Sequence, residues 1–312
     1  MKKGEHIEGV VASVAFPNKG KVICDEGTVT VKNVIPGQTL DVRIDKVRNG
    51  NSMQVYRRMD IGTAKIRPEE MDGVRHHLID ILEPTESFNA FLFKEYALKA
   101  ANEIWERGSI PIIVGGTGFY IQTLLYDIEF AKSDENDGIR DELNKLYEEH
   151  GAAFLHDMLA KVDPEYAAEV HENNVKKVIR AIEFYRQTGH KLSEHNTEQR
   201  ERTSPYNFEY FVLSDDRTVL YERIDKRIDK MVEAGLIAEV QALLDEGVDR
   251  ESVAMQGLGY KEIASYLAGE ISLDEAIYIL KRDTRHFAKR QLTWFRREKD
   301  VDFVELDKSG SR

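Results

Sequence analysis

Apolar and polar positions divide the chain into a short β-rich start and a longer part that mixes helices with buried strands. Between His6 and Val47 they alternate in four short runs, separated by Gly, Pro, Asn and Asp. Alternation between turn residues is typical of antiparallel strands, so we predict a small all-β barrel over residues 1–49. The four predicted strands cover residues 8–16, 21–24, 28–34 and 39–47.

From residue 50 the pattern becomes that of an α/β protein. Residues 110–116 form a continuous apolar run that ends in glycines, as a buried parallel strand does. We predict an α/β core in two parts, residues 50–130 and 205–312. Between these parts the periodicity is helical and the charge is high. We therefore predict a helical insertion at residues 131–204. The other predicted elements are strands at 77–82 and 206–213, and helices at 88–107, 218–233 and 273–297.

One helix of the predicted insertion, starting at His171, has two distinct faces. Asn173, Lys176, Lys177 and Arg180 share one side, while the apolar residues that include Val178 and Ile179 face the other way. From the residues alone, the cationic side is either a solvated helix face or a surface for nucleic acid.

Composition narrows the class of protein. Hydrophobic residues make up 41% and charged residues 32%, as in soluble globular proteins. The chain has no run of 18 apolar residues and only one cysteine, Cys24. We therefore expect a cytoplasmic monomer with no membrane span, no disulfide and no cysteine-rich zinc site.

The net charge of −12 argues against a uniformly basic surface, but one local patch stands out. Residues 281–297 contain seven Lys and Arg residues and one Asp. Such a concentration of positive charge is the electrostatic footprint expected for contact with a nucleic-acid backbone.

Residues 51–65 fit neither periodicity and are therefore predicted to form a functional loop. Their sequence, N-S-M-Q-V-Y-R-R-M-D-I-G-T-A-K, resembles the loop D-S-x-x-x-Y-x-x-M-D-I-G-T-A-K of tRNA dimethylallyltransferases. The resemblance continues in G-G-T-x-x-Y at 115–120, G-Y-K-E at 259–262 and K-R-x-T-R-x-x-A-K-R-Q-x-T-W at 281–294. It extends over the chain from residue 51 onward.

This resemblance implies a transferase that moves a dimethylallyl group from its diphosphate to N6 of the adenosine 3′ of a tRNA anticodon. It implies a P-loop-NTPase-like parallel sheet whose helical insertion grips the anticodon stem-loop, with Mg²⁺ as cofactor. The site residues that it carries over are Asn51 at the general-base position, Thr117 and Arg227 for catalysis, Arg227 also for the prenyl diphosphate, and, for tRNA, Ser52, Met53, Gln54, Thr117, Arg140, Lys176, Lys177, Val178, Ile179 and Arg180. On the residues alone, Arg227 could instead be a surface arginine paired with Asp225 or Glu222.

Two departures from the family pattern concern the chemistry. Asn51 stands where the family has Asp, and the 312 residues contain no G-x-x-x-x-G-K-[ST] phosphate loop, which would also supply the Mg²⁺ ligand. The nearest candidate, residues 15–22, is predicted to be a hairpin turn. An amide has no useful basicity at neutral pH. We therefore expect little or no prenyl transfer by this polypeptide. We also expect a parallel sheet that lacks its first strand and has an exposed edge.

The first 49 residues resemble a different family. Residues 16–20, 31–37 and 43–46 are similar to the TRAM domain of bacterial RNA uracil-5-methyltransferases, an OB-like RNA-binding barrel. An unrelated small barrel without a role in RNA binding remains an alternative. Three interpretations of the whole chain stay open: a tRNA-modifying enzyme, an RNA-binding protein without chemistry, and the product of joining two unrelated coding starts near residues 48–51.

Overall fold

The structure is a computed structural model that describes residues 7–15, 19–24, 27–32, 39–42, 44–49, 52–130, 138–298 and 301–305. Up to residue 49 the description is limited to strands and their pairing. Asn51, the predicted general-base position, and the first part of the predicted insertion, residues 131–137, lie outside the described residues.

Within these ranges the chain forms nine strands and ten α-helices. The strands are β1 (Ile7–Ala15), β2 (Lys19–Cys24), β3 (Gly27–Lys32), β4 (Thr39–Val42), β5 (Ile44–Asn49), β6 (His76–His77), β7 (Ile110–Gly115), β8 (Tyr210–Ser214) and β9 (Val301–Glu305). The helices are α1 (Ala90–Glu106), α2 (Gly118–Leu125), α3 (Ile139–Val162), α4 (Pro164–Glu169), α5 (Val175–Thr188), α6 (Leu192–Glu201), α7 (Arg217–Glu233), α8 (Leu236–Asp245), α9 (Tyr260–Leu267) and α10 (Leu273–Phe295). Short 3-10 helices occupy Ser52–Val55 and Pro68–Glu70.

These elements divide into two compact units. The first unit comprises Met1–Leu124 and Asn207–Arg312, and the second comprises Leu125–Tyr206. The predicted helical insertion at 131–204 falls within the second unit. The narrower boundaries drawn from the sequence remain predictions.

The N-terminal strands form an antiparallel sheet of order β3-β2-β1-β4. Val10 pairs with Ile23, and the register shifts between Val11 and Ser13, where β1 carries an irregularity. The alternating pattern thus locates the strands well, although the predicted strand at 39–47 corresponds to two described strands, β4 and β5, that belong to different sheets. Closure of this sheet into an OB-like barrel remains a prediction.

A second sheet contains three parallel strands in the order β6-β5-β7. Lys46 pairs with His76 on one side and with Ile112 on the other, so β5 is the central strand. The sequence predicts a sheet without its first strand, whereas the structure places residues 44–49 in the middle of it. Alternation in a short strand does not reveal whether its partners will be parallel or antiparallel, and this is why the pattern assigns β5 to the barrel.

The predicted strand at 77–82 is much shorter in the structure. Only His76 and His77 belong to a strand of the sheet, because Leu78 and Asp80 adopt positive φ values of 61° and 52°. Leu82, at the end of the predicted strand, forms an isolated parallel bridge with Tyr56. Left-handed residues interrupt a strand, and a buried leucine in that region is conformationally costly. Leu78 is nevertheless buried in the main core, where packing compensates for this cost.

The core of the first unit is formed mainly by helices. On α1 the buried side chains include Phe93, Ala97 and Ile104, at helical spacing. Asn89 caps the start of this helix, because its side chain accepts a hydrogen bond from Leu92 N at 2.9 Å. The parallel strands are less well covered, since every residue of β7 keeps part of its surface exposed.

The second unit has its own small core. Its fully buried side chains include Leu143, Leu155 and Leu159 of α3 and Val178 of α5. The helix α3 bends at Gly151, whose φ of 83° is accessible to glycine at little cost. No described helix in either unit has both the length and the apolar character required to cross a bilayer.

Candidate active site

The predicted functional loop, which we call the polar loop, is described from Ser52 to Lys65. It begins as a 3-10 helix and is anchored by Tyr56 and Met59, whose side chains are fully buried. The Tyr56 hydroxyl donates a hydrogen bond to Glu86 O at 3.0 Å, and burial is the main reason why its pKa rises to about 12. The first part of the polar loop is therefore fixed by the packing of Tyr56 and Met59 in the core.

Gln54 connects the two ends of the polar loop. Its Nε2 donates to Thr63 O at 3.0 Å and to Ala64 O at 2.9 Å. The side-chain oxygen Oε1 is also buried, but it has no hydrogen-bond partner among the described residues. An unpaired buried acceptor is costly, and it marks a point where a donor from a ligand would be stabilising.

The middle of the polar loop is held by a carboxylate from α8. Glu239 Oε2 accepts hydrogen bonds from Asp60 N at 2.9 Å and Ile61 N at 2.7 Å, while Oε1 accepts from Gly62 N at 3.0 Å. Oε1 also accepts from the hydroxyl of Tyr260 at 2.6 Å. We call Glu239 and Tyr260 the loop clamp.

The loop clamp explains two local features. A Cβ at Gly62 would lie 2.6 Å from Cε2 of Tyr260, so only glycine fits at this position. Burial, followed by the negative charge of Glu239, raises the pKa of Tyr260. The Tyr260 hydroxyl thus stays protonated and acts as a donor to the carboxylate.

Lys65 ends the polar loop as a buried cation. Its Nζ donates to Tyr56 O at 2.7 Å, to Asp60 Oδ1 at 2.6 Å and to Asp80 Oδ1 at 2.5 Å. The Lys65 side chain is only 5% exposed. These bonds join the start, middle and end of the loop to the turn that follows β6.

A surface cleft of about 980 Å³ borders the polar loop. Its lining joins the loop residues to α7, which contributes Arg227 and Lys230. Arg227 is exposed and forms no ion pair with the described residues. Asp225, one of its two possible partners, is instead paired with Arg285, at 2.6 and 2.8 Å. The Arg227 guanidinium is therefore available to an anion in the cleft.

Thr117 lies immediately before α2, at the end of β7. Its carbonyl accepts from Tyr120 N at 3.0 Å, as expected at the start of a helix. The preceding carbonyl, that of Gly116, accepts from Gln291 Nε2 of α10 at 2.8 Å, and the Trp294 ring occupies the space beside Gly118. The turn that carries Thr117 is thus fixed to the basic helix α10.

The basic segment of α10 is partly neutralised. Lys281 pairs with Asp229 at 2.5 Å and Arg285 pairs with Asp225, and Arg282 pairs with its neighbour Asp283 at 2.8 Å. Four cations beyond this region form no ion pair with the described residues: Lys289, Arg290, Arg296 and Arg297. The cationic surface is therefore smaller than the sequence count suggests and lies toward the C-terminal end of α10. The buried face of α10 is formed by Ala276, Leu280, Ala288 and Phe295.

In the second unit, two predicted tRNA contacts share one buried carboxylate. Glu183 Oε2 accepts from Arg140 Nη2 at 2.6 Å and from Arg180 Nη1 at 3.2 Å. Lys176 and Lys177 are exposed, so the cationic face predicted for this helix exists at its start.

The next two residues of that helix, also assigned to tRNA by the resemblance, have their side chains in the core. Val178 and Ile179 are 0% and 5% exposed and belong to the core of the second unit. Their side chains stabilise α5 by packing and do not form part of its surface. The resemblance assigned them as members of a continuous segment, whereas helical periodicity turns them inward.

Three anchoring residues were given no role from the sequence: Glu239 and Lys65 in the first unit, and Glu183 in the second. Glu239 is separated from its partners in the polar loop by 177 to 179 positions, and periodicity carries no signal over such distances. Tyr260 stands within the quoted G-Y-K-E motif, which located it without indicating its partner. The one sequence signal for Glu239 was that it is a charged residue on the mostly apolar helix α8, which indicates a carboxylate with a specific partner.

The fold and the cleft define a class of protein: an α/β domain in which a clamped polar loop faces an unpaired arginine, joined to a helical insertion with cationic residues. Residues 54–298 match the sequence model described as IPP transferase. The chain belongs to this family.

Curated relatives and solved structures agree with this assignment. The chain is 57% identical over 256 residues, covering 82% of both chains, to a tRNA dimethylallyltransferase of Lachnoclostridium phytofermentans. It is 46% identical to one of Acetivibrio thermocellus, over 92% of this chain and 94% of that protein. The structure resembles the tRNA isopentenylpyrophosphate transferase of Bacillus halodurans, with a TM-score of 0.60, 45% identity and coverage of 85% and 83%. It also resembles a eukaryotic dimethylallyltransferase acting on tRNA, with a TM-score of 0.72, 30% identity and coverage of 84% and 67%.

Proposed function

We propose that this chain is a tRNA-modifying prenyltransferase. It takes a dimethylallyl group from dimethylallyl diphosphate and places it on N6 of the adenosine 3′ of the anticodon. The observation that carries the proposal is the cleft in which the polar loop meets the exposed, unpaired Arg227. The curated relatives at 46–57% identity, all named tRNA dimethylallyltransferases, support the same reaction.

The reaction breaks the bond between C1 of the dimethylallyl group and the diphosphate oxygen, and forms a bond from C1 to N6. Negative charge grows on the departing diphosphate, and Arg227 suits this charge because its planar fork pairs with two phosphate oxygens. The N6 amine must lose one proton, and because the amide of Asn51 is not basic, the proton passes to the departing diphosphate or to water. The adenosine has to leave its stack to reach the cleft, and Ser52, Met53 and Gln54 are proposed to hold the flipped base.

We propose that the rate is well below that of the relatives. Asn51 cannot accept the N6 proton, and the 312 residues contain no phosphate-loop motif to share the charge of the diphosphate. Removing one preorganised donor typically lowers the rate by about 10²–10³-fold. Mg²⁺ is expected from the family, yet the described residues contain no group of three or more His, Cys, Asp or Glu side chains able to hold a metal. No step above depends on Mg²⁺.

The test is a prenyl-transfer assay with the full chain, unmodified tRNA and labelled dimethylallyl diphosphate, with the Acetivibrio thermocellus relative as the active control. We expect product at a rate at least about 100-fold below that of the control, since one missing donor alone has that effect. Asn51→Asp should raise this rate. A rate equal to the control would contradict the proposed impairment, and label on a position other than the adenosine would contradict the proposed reaction.

A second candidate is tRNA binding without chemistry. It is favoured by the four unpaired cations at the end of α10, which need no diphosphate to act. RNA binding with a steep salt dependence, together with no product from wild type or Asn51→Asp, would support this alternative.

The proposed TRAM-like role of residues 1–49 would add RNA affinity in either case. Sequencing across the codons for residues 45–55 would test the third interpretation, a joining of two coding starts.

A further inference from the structure

We propose that the loop clamp, formed by Glu239 and Tyr260, acts as a pair of positioning residues that keep the polar loop in the shape required to bind RNA. This inference rests on the proposed function, because it gives a role to the same loop. Neither residue is assigned to contact the adenosine or the diphosphate.

The geometry of Glu239 is that of a dedicated anchor. Three successive backbone N–H groups, from Asp60, Ile61 and Gly62, converge on its two oxygens at 2.7–3.0 Å. Successive N–H groups that point to one side form a concave binding site for an anion. Here a carboxylate of the chain itself occupies that site, and charge-assisted bonds of this kind are stronger than neutral ones.

Tyr260 completes the anchor and fixes the position of the carboxylate. Its hydroxyl donates to Glu239 Oε1 at 2.6 Å, and its ring lies against Gly62, where no side chain could fit. Since Glu239 already accepts four hydrogen bonds, we do not assign it a role as general base. Its role is to fix the backbone of residues 60–62.

The bonds of the clamp extend to the predicted base-binding residues. Immediately after Gly62, the carbonyls of Thr63 and Ala64 accept from Gln54 Nε2. Releasing residues 60–62 would therefore also release the partners of Gln54. The unpaired Oε1 of Gln54 would then lose the fixed position that makes it useful to a ligand.

The clamp and Arg227 lie on different helices and share no hydrogen bond, although Glu239 and Arg227 both line the cleft. Glu239 lies on α8 and Tyr260 on α9, whereas Arg227 lies on α7. Loss of the clamp should therefore weaken RNA binding without weakening anion binding at Arg227, since removal of a carboxylate from the cleft does not disfavour an anion. A purely structural role for the clamp would weaken both kinds of binding together.

The experiment compares Glu239→Gln and Tyr260→Phe with matched controls on the same helices, Asp245→Asn and Tyr266→Phe, in the full chain. The first measurement is amide hydrogen exchange of the peptide that contains residues 60–62. We expect exchange at least about tenfold faster in Glu239→Gln, because each lost bond to a charged group changes an equilibrium by about that factor. A smaller increase is expected in Tyr260→Phe, and none in the controls.

The second measurement is the affinity of each variant for an unmodified anticodon stem-loop RNA and for inorganic pyrophosphate. We expect Glu239→Gln to bind the RNA about tenfold more weakly or worse, with pyrophosphate affinity within about twofold of wild type. The double variant should behave like Glu239→Gln alone, since both residues act through one carboxylate.

The outcomes separate the two proposals. If wild type binds the RNA and Glu239→Gln binds it equally well, or if exchange of residues 60–62 is unchanged, the clamp proposal is overturned while the function stands. It is also overturned if RNA and pyrophosphate affinity fall in parallel. If wild type does not bind the RNA at all, the proposed function fails, and the role of the clamp in RNA binding fails with it.

Discussion

Replacing Lys65 by methionine tests whether the polar loop is held by its buried ion cluster. The methionine keeps most of the side-chain length but removes the ammonium group. Three acceptors would lose their common donor: Tyr56 O, Asp60 Oδ1 and Asp80 Oδ1. The two carboxylates would then face each other without the cation between them.

The magnitude follows from burial. Removing one partner of a buried ion pair costs about 3–5 kcal/mol, because the other charge is left uncompensated. Lys65 is 5% exposed, but the side chains of Asp60 and Asp80 are 62% and 49% exposed and can be rehydrated by water. We therefore take the lower end and expect the free energy of unfolding to fall by about 3 kcal/mol. A loss of this size is a large part of the stability of a typical domain.

The assay is urea-induced unfolding followed by tryptophan fluorescence. Both tryptophans, Trp105 and Trp294, belong to the first unit, so the signal reports the unit that contains the cluster. The control is Lys99→Met, the same substitution at an exposed lysine of α1, where we expect a change within about 0.5 kcal/mol. Equal transition midpoints for Lys65→Met and wild type, or equal losses in both variants, would refute the reasoning.

Three further predictions concern other parts of the two units. Gly62→Ala should lower the stability of the first unit by about 1–3 kcal/mol, because the new methyl group overlaps the Tyr260 ring. The same change in a Tyr260→Leu background should cost much less, and urea unfolding measures both variants. Arg227→Lys should weaken pyrophosphate binding about tenfold in titration calorimetry because the guanidinium fork is lost, whereas Arg223→Lys, on the same helix but paired with Asp215, should not. Burial tends to raise the pKa of Asp163, but hydrogen bonds from Ser193 and Tyr166 outweigh it and hold the pKa below its usual value. Its stabilisation of the second unit is therefore present above the ordinary carboxyl pKa and lost as pH falls through the lower folded-state value; hydrogen exchange in α4 should show this loss in wild type and not in Asp163→Asn.

The elements that sequence reasoning located best are those defined by local chemistry. The start of α1 follows from the capping side chain of Asn89, and α7 follows from Asp216, which accepts from Thr218 N at 2.8 Å. The short N-terminal strands follow from alternation between turn residues. In each case the decisive groups lie within a few positions of one another, where propensity and capping act.

The misassigned elements depend on distant partners. The strand predicted at 77–82 ends at His77, because Leu78 and Asp80 adopt left-handed conformations. Core packing stabilises that of Leu78, and Asp80 is held by its ion pair with Lys65. The position of β5 in the centre of the parallel sheet is set by β6 and β7, which follow it in the sequence. No local pattern contains this information.

The central position of β5 also indicates where the stability of the first unit resides. Central strands of parallel sheets are usually apolar on both faces, yet residues 44–49 read I-D-K-V-R-N, with three charged side chains in six. Their neighbour β7 stays partly exposed along its whole length, and Phe211 and Leu213 of β8 are 58% and 66% exposed. Of the strands whose burial is described, β7 and β8 therefore contribute little well-buried surface. The fully buried side chains lie instead on the polar loop and the helices, where Tyr56, Met59 and Tyr260 share one core. Because the candidate site is built on that helical core, we expect its geometry to depend on the helices more than on the exposed strands β7 and β8.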